Sequence, residues 1–295
     1  MKKTLETLVF FGSGPVAEAS LKFLTNYFRV EAVVTKPATE EQMAKTAGSA
    51  KIYTVSSRDE LNKLIADKPF TSHQGVIVDF GIIVDQPVID YFPLGIINSH
   101  FSLLPRWRGA DPISFAILNA DQKTGVSLML IEKELDTGKV LVQKSIPIMP
   151  DATTPSLTAE LIKLSNQLLA DNLPKYWNGQ IKPRAQPHPS RATYSRKLTK
   201  NDGIIDWNKS AEQIEREIRA YQDWPKSQAN LAGKEVSVLS AHILNASGLA
   251  GKVEVKDKNL VIYCGKDALA IDELRPAGKN AMSGKAFIAG HRELL

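Results

Sequence analysis

Apolar and polar positions along the first half of the chain fall into two alternating patterns. Short runs rich in Val, Ile, Leu and Phe occupy Leu8 to Gly12, Val30 to Thr35, Ile52 to Val55, Gly75 to Asp79, Gly95 to Asn98, Gly125 to Glu132 and Val140 to Ile148. Runs of this length bounded by turn residues read as strands, and near-continuous apolarity marks strands covered on both faces. Between them, apolar residues recur three and four apart, most clearly at Ser57 to Ala66 and Pro155 to Trp177, which gives a helix one apolar side. Thr154 before Pro155 reads as an N-cap followed by a first-turn proline. The alternation predicts an α/β fold, with a Rossmann-like, mostly parallel sheet and helices on both faces.

The pattern changes after Lys182. Pro183, Pro187 and Pro189 alternate with Arg184, Arg191, Arg196, Lys197 and Lys200, and no apolar period survives. Beyond this stretch a helix is expected over Ser210 to Tyr221 with Ser210 as its cap. Short alternating runs follow at Glu235 to Ser240, Gly251 to Val255, Asn259 to Cys264 and Ala268 to Leu274. The expected organisation is a first domain over residues 1–182, a basic linker over 183–202 and a small OB-like β-barrel over 203–295.

Composition narrows the class. A chain of 295 residues, 43% apolar and 23% charged, excludes disordered and collagen-like proteins. The single cysteine, Cys264, has no partner for an intrachain disulfide or a multi-thiolate metal site. Met1-Lys2-Lys3 resembles the start of a secretory signal, but Glu6 and an apolar run of only Leu8-Val9-Phe10-Phe11 argue against it. No segment has the roughly 18 apolar residues of a membrane span. A cytoplasmic protein without a membrane partner is expected. Residues 1–182 carry equal numbers of acidic and basic side chains, so the whole net charge of +5 lies in the remainder. A neutral half joined to a basic half points to a polyanionic partner for the second, with nucleic acid foremost.

Two segments suggest ligand chemistry. Gly12-Ser13-Gly14-Pro15-Val16-Ala17 has the spacing of a dinucleotide loop. Thr35-Lys36-Pro37 stands where that motif needs a ribose-binding acid, however, and Pro15 removes one amide, so a close-packed strand-to-helix turn is the better reading. The stronger cluster is Asn98-Ser99-His100. Alternate residues of a strand share a face, so Asn98 and His100 address one space at the carboxyl edge of the sheet. An amide can stabilise a developing oxyanion, and an imidazole can exchange a proton near neutral pH. Asp136, in Leu135-Asp136-Thr137-Gly138, either orients that imidazole or shapes a turn. No nucleophile elbow, zinc-protease helix or phosphate loop is present, which favours direct transfer between two bound substrates without metal.

The run from Asn98 through Ser102-Leu103-Leu104-Pro105 to Ala110, with Thr124-Gly125-Val126 and Leu135 to Gly138, closely resembles the folate-dependent formyltransferases. Tyr194-Ser195-Arg196-Lys197-Leu198, Ile205-Asp206-Trp207, Ile218 to Tyr221, Trp224-Pro225 and Arg275 to Met282 resemble the C-terminal domain of the members that act on methionyl-tRNA. The resemblance implies that Asn98, His100 and Asp136 are the catalytic trio acting on 10-formyltetrahydrofolate. It also implies that Ser102, Leu103, Leu104 and Pro105 line the folate site, with Phe80, Gly81 and Ile82 bordering it. Methionyl initiator tRNA would be the acceptor, held in part by Arg196, Lys197 and Lys200, and the enzyme would act as a monomer. The chain departs from the family in two places: Lys36 to Lys45 is short and partly acidic where relatives carry a longer basic loop, and Asp79 replaces a small apolar residue.

Overall fold

The run Leu8-Val9-Phe10-Phe11 lies inside a seven-stranded sheet, with all four side chains fully buried. The computed structural model describes residues 7–231 and 233–291. The basic start read in Met1-Lys2-Lys3 and Glu6 lies outside the described residues. The chain divides into two compact units. One holds the chain up to Pro112 with Lys123–Pro147 and Thr158–Ser195; the other holds Ile113–Gln122, Ile148–Leu157 and the chain from Arg196 onward.

In chain order the elements up to the last strand of the large sheet are β1 (Thr7–Phe11), α1 (Pro15–Leu24), β2 (Arg29–Thr35), α2 (Glu40–Thr46), β3 (Lys51–Thr54), α3 (Arg58–Ala66), β4 (Gly75–Ile77), α4 (Gln86–Tyr91), β5 (Ile96–His100), β6 (Arg108–Gly109), α5 (Pro112–Leu118), β7 (Lys123–Leu130) and β8 (Val140–Pro147). The sheet order is β3-β2-β1-β4-β5-β7-β8. Its first five strands are parallel, and β7 and β8 add antiparallel pairs. The order reverses between β1 and β4, which opens a crevice at the carboxyl ends of the strands.

Helices cover both faces. Val9, Phe11, Ala32, Val34, Ile77 and Ile96 share one face with Leu61 and Ile65 of α3 and Val88 of α4. On the other face, Ser99 of β5 meets Ser165 of α6 (Thr154–Trp177) at 2.6 Å between hydroxyls. Helix starts follow local chemistry. Ser57 accepts from the Glu60 N–H at 3.2 Å, satisfying one of the first-turn donors that has no intrahelical partner. At α6 the cap is Thr153 rather than Thr154. The Thr153 hydroxyl accepts from the Ser156 N–H at 3.3 Å, and the Thr154 hydroxyl donates to the Ala220 carbonyl at 2.7 Å.

After β9 (Tyr194–Ser195), which remains in the first unit, come α7 (Ala211–Ala220), β10 (Ser227–Leu231), β11 (Lys234–Leu244), β12 (Val253–Lys256), β13 (Asn259–Tyr263), β14 (Ala268–Pro276), β15 (Met282–Ser283) and α8 (Gly284–Gly290). Ser210 caps α7 as its sequence predicts, accepting from the Gln213 N–H. The strands form an antiparallel sheet in the order β10-β11-β14-β13-β12, with β15 on β14 and no pairing of β10 with β12 among the described residues. Ile214 and Ile218 of α7 and Phe287 of α8 pack on Val236, Val238, Leu260, Ile262 and Leu274.

Cys264 belongs to this core, and burial pushes its thiol up to about 11. Only a thiolate reacts readily. A thiol reagent near neutral pH is therefore expected to leave the native protein unmodified while it labels the unfolded chain; rapid labelling of native protein would contradict that burial.

Candidate active site

Strand β5 ends at the crevice, and its register is set by β4, where Ile77 pairs with Asn98. Asn98 and His100 share the face of Ile96, and Ser99 turns the other way toward α6. His100 is 6% exposed. Its Nε2 lies 2.8 Å from the Trp107 carbonyl oxygen. A carbonyl only accepts, so Nε2 carries a hydrogen and Nδ1 is the nitrogen left for chemistry. Nδ1 faces Oδ2 of Asp136 at 3.7 Å. That separation is longer than a hydrogen bond, so the imidazole is oriented by Trp107 and not directly by the acid.

Asp136 is 7% exposed and has a φ of 52°, in the left-handed region. Its Oδ2 accepts from the Gly109 N–H at 2.7 Å. Gly109 has a φ of 115°, and a Cβ there would stand 2.1 Å from the Ser195 carbonyl oxygen, so only glycine presents its amide to the acid. The Asp-Thr-Gly segment is thus a turn, and it brings Asp136 Oδ2 to 3.7 Å from His100 Nδ1 without a hydrogen bond between them.

The loop after β5 is locked. Ser102 is fully buried, and its hydroxyl donates to the Arg106 carbonyl at 2.5 Å. The Leu104 N–H donates to Ser127 Oγ at 3.1 Å, and Gln143 donates to the Leu104 carbonyl at 2.8 Å. The peptide between Leu104 and Pro105 is cis. Leu104 is buried, while Leu103 and Pro105 are half-buried. On the neighbouring strand end, Phe80 is buried in the core edge-on to Phe11 with ring centres 5.7 Å apart. Gly81 is exposed and Ile82 half-buried. Arg196, Lys197 and Lys200 are exposed in the other unit, and the Arg196 guanidinium forks onto Asp202.

Ser13, from the glycine-rich turn, shares a hydroxyl contact with Thr35 and accepts from the Lys36 N–H at 3.0 Å. Its polar group thus closes the turn, as the absence of a ribose acid suggests. Asp79 has a φ of 49° and follows β4 at the same carboxyl edge. Its side chain keeps contact with solvent, but protein crowds its other sides. This burial pushes its carboxyl up, Asp111 adds to the rise and Lys36 offsets part of it. Among the described residues no cluster of three or more His, Cys, Asp or Glu side chains is arranged for a metal ion, and no helix is long and apolar enough to cross a membrane.

The formyl transferase family matches residues 29–173, and the formyl transferase C-terminal domain family matches residues 197–292. The chain belongs to the formyl transferase family. Among relatives of this formyltransferase, the methionyl-tRNA formyltransferase of Pseudoalteromonas translucida is 37% identical over 81% of this chain and 74% of that protein. The methionyl-tRNA formyltransferase of Roseiflexus castenholzii is 33% identical over 97% of this chain and 96% of that protein. Two solved structures share the fold. The N-formyltransferase from Helicobacter canadensis in complex with folinic acid and dTDP-3-aminofucose aligns at a TM-score of 0.68 and 21% identity, covering 90% of this chain and 99% of that one. HypX from Aquifex aeolicus in complex with tetrahydrofolic acid aligns at 0.67 and 16% identity over 98% of this chain. The formyltransferase described here spans about half of HypX, 48% of that chain.

One buried side chain bound to the Asp136 turn carries no distinctive signal in the sequence pattern. Gln186 lies in the stretch read as linker and is 6% exposed. Its Nε2 donates to the carbonyls of Asp136 at 2.7 Å and Gly138 at 3.0 Å, and its Oε1 accepts from Nε and Nη2 of Arg108 at 3.2 and 2.7 Å. The same stretch pairs its Arg184 backbone with Val140, and β9 pairs with β6. The only signal in the sequence was the presence of a polar side chain among prolines, which ordinarily marks a solvated loop.

Proposed function

We propose that this formyltransferase moves the formyl group of 10-formyltetrahydrofolate onto the free α-amino group of methionyl initiator tRNA. The observation that carries the reading is the buried His100 and Asp136 pair beside Asn98, in a chain related along most of its length to methionyl-tRNA formyltransferases. The amine nitrogen attacks the formyl carbon, and a tetrahedral intermediate forms without a covalent bond to the enzyme. As the bond to the folate nitrogen breaks, that nitrogen receives a proton and the amine loses one. Asn98 and His100 are placed to stabilise the oxyanion, and the space between His100 Nδ1 and Asp136 Oδ2 is where the amine's proton is passed on. In this reading the two groups act as one proton-transfer unit.

The rigid loop after β5 suits the folate co-substrate. Leu103 and Pro105 offer half-buried apolar edges, and Ile82 offers another from the adjoining strand end. Phe80 backs that segment from the core. In this reading the enzyme acts as a cytoplasmic monomer, which gel filtration tests.

Arg196, Lys197 and Lys200 would engage tRNA phosphates. If three phosphates are neutralised, counterion release makes affinity fall about forty-fold for a fourfold rise in salt. Binding titrations across salt concentrations check this, and a flat response would remove these residues from the interface. The function itself is tested by supplying 10-formyltetrahydrofolate with methionyl initiator or methionyl elongator tRNA and measuring formyl-methionine after deacylation. Product confined to the initiator is expected; transfer to neither would favour a small-amine acceptor.

A further inference from the structure

The second unit carries an exposed tryptophan for which formyl-transfer chemistry has no use. Trp224 is 55% exposed and Ile204 is 61% exposed, costly positions for side chains of this size unless something covers them. Their backbones are held firmly. Asp202 accepts from the Thr199 N–H at 2.7 Å and the Thr199 hydroxyl at 2.8 Å, and it receives the Arg196 fork. A Cβ on Gly203 would stand 3.1 Å from Pro225 Cγ and 2.1 Å from the Lys226 carbonyl oxygen, so the turn before Ile204 and the turn after Trp224 interlock. The Ile205 N–H donates to the Gln228 carbonyl at 2.9 Å, and the Lys226 N–H donates to that of Tyr221 at 2.9 Å.

Around these turns, Lys197 and Lys200 are exposed and Lys226 is half-buried, and among the described residues none of the three forms an ion pair. Asp223, one residue before the tryptophan, and Asp206, two residues after Ile204, are exposed acids in these segments. A fixed aromatic face beside unpaired lysines suits a ligand with planar apolar rings joined by phosphates. A nucleic acid supplies planar rings and regularly spaced phosphates in one ligand, which matches an aromatic face flanked by lysines.

We propose that Trp224, flanked by Ile204, is a stacking platform for an unpaired base of the tRNA, with Lys197, Lys200 and Lys226 on the phosphates beside it. The platform rests on the reading of this chain as a tRNA-formylating enzyme. Stacking on an aromatic face tolerates any base, so the platform adds affinity without reading sequence.

The test compares wild-type protein with the Trp224→Ala, Trp224→Phe and Lys200→Ala variants in binding to methionyl initiator tRNA at several salt concentrations. Trp224→Ala is expected to raise the Kd about ten-fold with an unchanged salt slope, because stacking releases no counterions. Trp224→Phe should recover most of that loss, and Lys200→Ala should lower the salt slope by about one. Wild-type affinity in Trp224→Ala, or equal losses in the Ala and Phe variants, would overturn the platform. If Trp224→Ala does not fold, fluorine NMR of fluorotryptophan-labelled protein decides: the Trp224 resonance shifts on adding tRNA if the base stacks there, and its constancy overturns the proposal. If the wild-type protein itself bound no tRNA, the functional reading and the platform would fall together.

Discussion

Replacing His100 by alanine is expected to lower kcat for formyl transfer by about a hundred- to ten-thousand-fold, the usual worth of a positioned acid–base group. The geometry explains why the loss should be this large. Nε2 is committed to the Trp107 carbonyl, so the single available nitrogen faces Asp136 within a site that excludes most water. Affinity for methionyl-tRNA should remain close to that of wild type, since phosphate contacts are assigned to the second unit. Asp136→Asn offers a complementary result. Its side-chain oxygen can still accept from the Gly109 N–H, so the loop should stay in place while the charge opposite Nδ1 is lost. Combining the two substitutions should cost little more than either one, as expected of groups that work as a unit. Additive losses in single-turnover measurements would mean that histidine and acid act on separate steps.

Gln186→Leu is expected to be the most damaging substitution outside the trio. It removes acceptors from a buried guanidinium and strips the donor from two carbonyls of the Asp136 turn. Leaving a buried guanidinium without its acceptor costs about 3 kcal/mol, more than the net value of the hydrogen bonds in the intact protein. The loss should appear as a lower unfolding temperature together with a lower kcat, because the left-handed Asp136 conformation then lacks the clamp holding it. Gln186→Glu separates these effects. Its carboxylate can accept from Arg108, but it sets a second oxygen against the Asp136 and Gly138 carbonyls. Stability should recover more than activity, and a variant that keeps both at wild-type levels would show that the clamp does not position Asp136.

Much of the architecture was legible along the chain because it rests on local signals. The apolar runs predict β1 and β2 almost to the residue, since interior strands have no polar face to blur their ends, and they place the edge strand β3 within one residue. Ser57 and Ser210 mark α3 and α7 because a hydroxyl at that position answers a donor only a few residues away. Signals weakened where burial was partial or elements were short. β10 carries Ser, Gln and Asn among its five residues and was not anticipated, although its alternate positions are buried. At Thr154 the local capping rule gave way to a distant carbonyl, that of Ala220.

The sequence by itself determined the α/β layout of the first half, the antiparallel strands of the second, and the placing of Asn98 and His100 on one strand face, since residue type and spacing are properties of the chain. Tertiary structure decided how those side chains work. Trp107 orients His100 through a main-chain oxygen, which every residue possesses and no side-chain pattern announces. Gly109 holds Asp136 through a main-chain N–H, and β9 reaches β6 from a distant proline-rich stretch by the same kind of bond. Backbone groups are identical along the chain, so only the fold selects which of them meet a catalytic residue.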